Sequence, residues 1–432
     1  MLSRATQGKL ALYFCCMIAL HGDVLWKARH SIVHGYPDFA AFYSGGSIVR
    51  QGLGKQLYDE PTQYRAQQQF AAEVSIRQGP LLYTHPPFEA LLFVPFTAVS
   101  YFTAYVLWDL ANLLFLLTLF YLLRTSVPWL RQVPAIFWLL GCLAFFPVFF
   151  ALLHGQDTIL LALLVTAVYV LLRRQRDIAA GFCLGLCVFR FHLVVPLILI
   201  LLYQKRIRTM FGFVPTAAAL GLISVLIVGW RGALDYPRYV WHLEPARTIV
   251  SSGMANVRGL LDPVLIPLTS KLATDIVISI MSLALIFFAA RTWRPENPAE
   301  FDLGFALCMI VAVLVGYHTL AHDLTLLLLP ITFTVQHLCG SVDTDRRTRA
   351  LLLIPLGLLL FSPLHALLAL RSGPYNLFAW VLLFWGWVLS REINPSHQKE
   401  LGRERFHSGS TMAFGWFHRF QGRASSTANI GK

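Results

Sequence analysis

The chain has 432 residues, of which 56% are hydrophobic and only 13% charged, with a formal net charge of +13. A soluble domain carries roughly a quarter charged residues, so this composition excludes an ordinary soluble protein and leaves little room for a separate soluble domain. The basic excess does not point to nucleic acid, because Lys and Arg lie between the apolar runs and in the C-terminal tail rather than on one stripe; anionic membrane lipid is the partner it fits.

Membrane crossings are expected wherever roughly 17 to 25 apolar residues follow one another, and their direction from the Lys/Arg content of short loops. The first run, Leu10 to Trp26, follows Arg4 and Lys9 without a small-residue cleavage site, so an uncleaved first helix is expected. A first loop (27–100) of mixed polarity follows. Its segment Tyr36 to Tyr43 reads as a short helix headed by Asp38. Asp38 after a proline and before a helical run either caps that helix by accepting a backbone N–H or presents a carboxylate to a site. Pro61 to Gln78 reads as a second helix, lying on the membrane surface or within an ordinary loop. Phe88 to Ser100 is too short to cross and holds Pro95, and is expected to be re-entrant or half-buried.

Runs at Tyr101 to Leu123, Val133 to Leu153 and Thr158 to Leu172 follow, with the non-basic turn His154-Gly155-Gln156-Asp157 before the last. The run Ile178 to Tyr203 is broken by Phe189-Arg190-Phe191-His192 and flanked by basic residues at both ends (Arg173, Arg174, Arg176; Lys205, Arg206, Arg208). Two short helices meeting at Arg190 are expected. Further runs lie at Phe211 to Trp230, Leu272 to Ala290, Phe301 to Val315, Leu324 to Leu338, Ala350 to Leu370 and Leu377 to Leu389, with a loop from Arg231 to Asp262. The fold class is thus an all-α polytopic membrane protein of about twelve helices. One membrane domain is expected over 1–390 and a basic, disordered cytoplasmic tail over 391–432, with both termini cytoplasmic. The seven cysteines sit in or beside apolar runs without metal-ligand spacing and are expected to pack helices.

This topology places the first loop, the His154 turn, the Arg190 break, the Arg231 to Asp262 loop and the His318 to Asp323 turn on one extracytoplasmic face. Arg190 within an apolar run needs water, a carboxylate or a phosphate; it either forks onto a lipid phosphate with help from His192 or pins helices in a salt bridge. His318, His322 and Asp323 lack the remaining ligands of a recognisable metal site, and no metal is expected; they either hydrogen-bond substrate or anchor the interface. Asn256 and Arg258 either recognise substrate or fix their loop.

Taken in order, the segments Asp38 to Gly46, Leu57-Tyr58-Asp59, Tyr83-Thr84-His85-Pro86-Pro87-Phe88, Gly155-Gln156, Ala180-Gly181 leading to Arg190, and His322-Asp323-Leu324 to Pro330 resemble glycosyltransferase family 87 of the GT-C superfamily. The resemblance spans Tyr36 to Pro330, with Arg190 where Lys is expected. It implies a GT-C fold, an inverting transfer of a sugar, typically mannose, from a polyprenyl-phosphate donor to a lipid or glycan acceptor, and a catalytic carboxylate at Asp38. Arg190, His192, His322, Arg258, Asn256, Gln156 and His85 become the donor-phosphate or substrate residues. No cofactor is expected beyond the lipid-linked donor. A bacterial-type cytoplasmic membrane with the site facing out suits this reading, and an ER membrane with a lumenal site obeys the same charge rule. A polytopic transporter or lipid flippase is the alternative, and a lipid-binding scaffold without activity is a third.

Overall fold

The computed structural model describes residues 4–71, 81–246, 251–293, 298–340, 345–370 and 374–393. Among them every regular element is helical. Most of the tail beyond 391, and residues 72–78 of the expected second loop helix, lie outside the described residues.

The chain begins with α1 (Arg4–Val33), longer than its apolar run and largely exposed along its sides. The first loop then folds into α2 (Phe39–Arg50), α3 (Glu60–Gln68) and the single turn α4 (Ala90–Phe93), which short 3-10 turns extend from Pro87 to Ala98. Asp59 caps α3 by accepting the Thr62 N–H at 3.0 Å. These pieces pack a small core of their own around Phe39, Phe42, Tyr83, Phe93 and Trp108. A Cβ at Gly46 would sit 2.9 Å from the Phe93 carbonyl carbon, which is why α2 can lie so close to α4.

Beyond the loop come α5 (Tyr101–Arg124), α6 (Ala135–Ala144), α7 (Phe146–His154) and α8 (Thr158–Arg173). The extended backbone of Phe145 bends α6 against α7 by 77°. Next are α9 (Asp177–Leu186), a 3-10 turn (Cys187–Arg190), α10 (Phe191–Tyr203) and α11 (Ile207–Ala246). The remainder is α12 (Val257–Leu265), α13 (Lys271–Thr292), α14 (Pro298–Val315), a 3-10 segment (Ala321–Leu327) leading into α15 (Leu328–Gly340), α16 (Arg346–Leu360), α17 (Ser362–Leu370) and α18 (Leu377–Ile393). Every residue of α14 from Phe301 to Leu314 is buried. A helix apolar on all sides belongs at the centre of a bundle, and α14 is that pillar.

Among the described residues, seven helices are long and apolar enough to cross a membrane, or nine if each bent pair counts as one. The stretch Asp177–Tyr203 is one of the seven by length, yet it folds back on itself. Arg206 Nη1 reaches Asp177 Oδ1 at 3.0 Å and the Leu172 carbonyl at 3.5 Å. A straight helix over that span would separate its ends by about 40 Å, so α9 and α10 are the two arms of a hairpin with Arg190 at its tip. The break in the apolar run at Arg190 is therefore a reversal. Backbone contact holds the hairpin to α11. Added to Gly181, a Cβ would meet the Thr209 carbonyl oxygen at 1.8 Å, and added to Gly212 it would meet that of Ile178 at 2.0 Å. Small residues at a membrane helix contact permit this approach.

The helices connect two chemically different ends. At one, Arg173 donates to the Ser126 carbonyl, Gln204 to the carbonyls of Ala290 and Trp293, and Gln336 accepts from Trp129 N. The other gathers the first loop, the His154 turn, the hairpin tip and the segments around Asn256 and His318.

Two expectations need correction. The loop expected from Arg231 is helical as far as Ala246: Gly229 (φ 77°, ψ 168°) ends the first helical stretch of α11 at a kink and a second stretch follows directly, and Tyr236 beyond the kink donates to the Thr84 carbonyl at 3.1 Å. Not all the cysteines pack helices: Cys142, Cys187 and Cys308 are buried, whereas Cys15, Cys16 and Cys339 are exposed, and a residue this small and weakly polar is tolerated there.

Candidate active site

Asp38 stands at the head of α2, in the position where a side chain would cap the helix. Its backbone is already helical (φ −60°, ψ −20°), and its carboxylate makes no capping bond. Oδ2 instead accepts from Gln156 Nε2 at 2.7 Å and lies 3.3 Å from His154 Nδ1. The side chain is 35% exposed, which leaves it open to a ligand. Burial works to raise its pKa. The charge and contact of His154, the charge of His322 and the Gln156 hydrogen bond outweigh that and hold the carboxyl below the ordinary carboxylate range.

The partners of Asp38 come from one tight turn. Gly155 ends α7 in the left-handed conformation (φ 60°), and a Cβ there would press into Phe39 at 2.7 Å. The turn is fixed from α5, where Tyr105 OH donates to the Leu152 carbonyl at 2.9 Å and Trp108 Nε1 to the Gly155 carbonyl at 3.0 Å. His154, Gln156 and Asp157 thereby face the first loop as a set.

Behind this set lies Arg190, 7% exposed at the hairpin tip. Its Nε donates to Asp157 Oδ1 at 2.8 Å, and its Nη2 to Gln156 Oε1 at 2.5 Å and also to Asp157. Nη1 reaches Asp323 Oδ1 at 3.5 Å. Of the two expectations for Arg190, the geometry realises the salt bridge: the guanidinium is engaged by three side chains and ties three segments together. Gln156 is the hinge of this network, joined to Arg190 through its oxygen and to Asp38 through its nitrogen.

His85 lies on the opposite side of Asp157. Its Nδ1 is 2.9 Å from Glu89 Oε2 and 3.9 Å from Asp157 Oδ2. These three residues are the group among the described residues whose ligand atoms, all within 4.8 Å of one another, could hold a metal ion. Spacing along the chain could not reveal it, since 68 residues separate Glu89 from Asp157. Burial, then the charge of Asp157, push the Glu89 carboxyl well above the ordinary range. Burial opposes ionisation of Asp157 too, but the Arg190 charge and that of His85 keep it below that range.

On the far wall, Asp323 accepts the Leu320 N–H at 2.8 Å and His322 Nε2 lies 3.7 Å from Asp323 Oδ1. The His322 ring is parallel to that of Phe150. His192 follows the hairpin tip, with a buried Nε2 that has no hydrogen-bond partner. Asn256 holds its loop: it caps α12 by accepting Gly259 N–H at 2.7 Å and donates to the Gly316 carbonyl at 2.6 Å. Arg258 pairs with Asp262 at 3.1 Å, stacks on Tyr317, and lines a cavity of about 170 Å³ with Ser279 and Ser282. Of the residues singled out from sequence, the structure joins Asp38, Gln156 and Arg190 directly, sets His85 and His322 beside that network, and places Asn256 and Arg258 in local contacts around α12. His154, Asp157 and Glu89 were not singled out. Asp157 had the signal of following Gly155-Gln156; at the head of α8 its side chain makes no capping bond.

The model of glycosyltransferase family 87 matches residues 83–316, more than half the chain. The match contains His85, Glu89, the His154 turn and Arg190, and begins beyond Asp38. No curated protein and no solved structure matches the chain.

Proposed function

This chain belongs to glycosyltransferase family 87, and we propose that it moves a sugar, mannose by preference, from a polyprenyl-phosphate donor to a lipid or glycan acceptor with inversion at the anomeric carbon. In this reading the chain passes a bacterial-type cytoplasmic membrane about twelve times in the GT-C manner, with both termini cytoplasmic and the Asp38 end outside. The alternation of helices between a basic end and a polar end supports it.

Asp38 is the base. It takes the proton of the acceptor hydroxyl as that oxygen bonds to the anomeric carbon, and the bond from that carbon to the phosphate oxygen breaks with its electron pair leaving on polyprenyl phosphate. The observation that carries the reading is the Asp38 carboxylate, relieved of any capping duty and held ionised by Gln156 and His154 in a half-open position. Arg190 is a positioning residue first: it sets Gln156, and lends a fixed positive charge to the floor on which the phosphate charge grows. His85, His192 and His322 line that floor as donors for phosphate or sugar. The transfer as written draws on two substrates and no cofactor. Nucleic acid has no place in it.

The test is a transfer assay with a panel of polyprenyl-phosphate sugars, comparing wild type with Asp38→Asn. Transfer by wild type from one or more donors and its loss in the variant is the expected result. Full transfer by a natively folded Asp38→Asn protein would overturn the base, and inertness toward every donor would overturn the donor class. A transport role would call for polar groups along a path between both ends, whereas these collect at one.

A further inference from the structure

Glu89 and Asp157 have no part in the transfer as written, yet both are buried carboxylates in an apolar setting, with 3% and no exposure respectively. Each leaves one oxygen, Glu89 Oε1 and Asp157 Oδ2, with no hydrogen-bond donor beyond a proton shared between the two carboxyls. Such oxygens are costly to bury unless something positive meets them. Arg190 does not, for its bonds to Asp157 go to the other oxygen, Oδ1, and its remaining donors serve Gln156 and Asp323. Among the described residues, Glu89, Asp157 and Asp323 thus face a single permanent cation, Arg190.

The unmet oxygen of Asp157 is turned toward His85 Nδ1, which also faces Glu89. One imidazole nitrogen and two carboxylate oxygens, all within 4.8 Å of one another, match the separations of ligands around an ion bound at about 2.0–2.2 Å, roughly 3 Å for neighbours and 4.3 Å for opposed ligands. The donor set of one nitrogen and two carboxylates suits a first-row divalent ion that accepts both. We propose that His85 Nδ1, the Glu89 carboxylate and Asp157 Oδ2 form a binding site for a divalent cation of the manganese class, which braces the first loop against the turn that carries Gln156. Asp157 then bridges the ion on one oxygen and Arg190 on the other, a carboxylate oriented from outside the ion's own ligands. The ion is a brace for the Asp38 network rather than a reactant, and the proposal stands on this geometry whether or not the sugar chemistry above is right.

The full chain, purified in detergent and stripped with EDTA, is titrated with Mn²⁺ while the free ion is followed by electron paramagnetic resonance. Saturable binding is expected, weakened about tenfold or more by Glu89→Gln and by Asp157→Asn. Asp275→Asn, on the outer side of α13 and paired with Lys271, should bind as wild type does. Glu89→Gln decides if Asp157→Asn fails to fold, because the amide matches the shape of a protonated Glu89 and keeps its packing. Absence of saturable Mn²⁺ binding, or binding that Glu89→Gln leaves unchanged, overturns the site.

Discussion

Gln156 joins Asp38 to Arg190, donating from its amide nitrogen to the carboxylate at 2.7 Å and accepting on its amide oxygen from the guanidinium at 2.5 Å. A side chain with one donor group and one acceptor group is the simplest spacer between an anion and a buried cation. Gln156→Leu keeps the bulk and removes both bonds. We expect kcat to fall by roughly 10- to 100-fold through loss of orientation, with donor KM little changed; steady-state kinetics on a competent donor measure this. A fall in donor affinity with kcat intact would place Gln156 on the substrate instead.

Asp38→Asn should lower transfer by about 10²- to 10⁴-fold while the thermal transition stays near that of wild type. The charge is in contact with His154 and Gln156 but belongs to no helix cap, so the fold does not depend on it.

The pH profile follows from the same contacts. Asp38 is held below the ordinary carboxylate range, so the active ionised form persists above its depressed pKa and is lost only as pH falls through it. The acid limb of kcat/KM should therefore lie below the usual aspartate range. In Gln156→Leu it should move upward, toward that range. An acid limb in wild type near the pKa of an ordinary histidine would show that another group controls the step.

Arg190→Ala strips a buried cation from Asp157 and Asp323 and should cost about 3–5 kcal/mol of stability, seen as a lowered unfolding midpoint in detergent. Arg190→Lys retains charge but cannot fork to Gln156 and Asp157 together, so it should recover stability in part and activity less. If Arg190→Ala folds and its donor affinity is unchanged, the guanidinium acts through Gln156 alone.

Gly181→Val should prevent the folded protein from accumulating, because its first added carbon would lie 1.8 Å from the Thr209 carbonyl oxygen. Gly221→Ala, with nothing within 4 Å of the added carbon, should leave yield and midpoint unchanged. Size-exclusion profiles of the two purified variants make the comparison.

The polar end of the molecule was legible in the sequence because charge inside apolar runs is costly and so stands out; Arg190 is the clearest case. Its partners were not, since Asp157 and Asp323 are 33 and 133 residues away and only helix packing decides which carboxylate it meets. Asp38 shows a second limit. A cap and a free carboxylate share one local pattern, and the outcome turned on the backbone at that residue and on a turn far along the chain. Glu89 was hidden differently, behind Pro86-Pro87-Phe88 in a stretch that reads as apolar. The second helical stretch behind Gly229 escaped because the glycine beside Trp230 and Arg231 does mark a helix end, and only packing against the first loop shows the chain turning helical again.

The contact between Arg206 and Asp177 also bears on how the chain must be counted. Hydropathy alone tallies Asp177–Tyr203 as one passage, which would carry every later segment to the wrong side. A closed hairpin contributes an even number, so parity is preserved across it. Reporter tags inserted at 175 and at 205 should consequently be accessible from the same compartment.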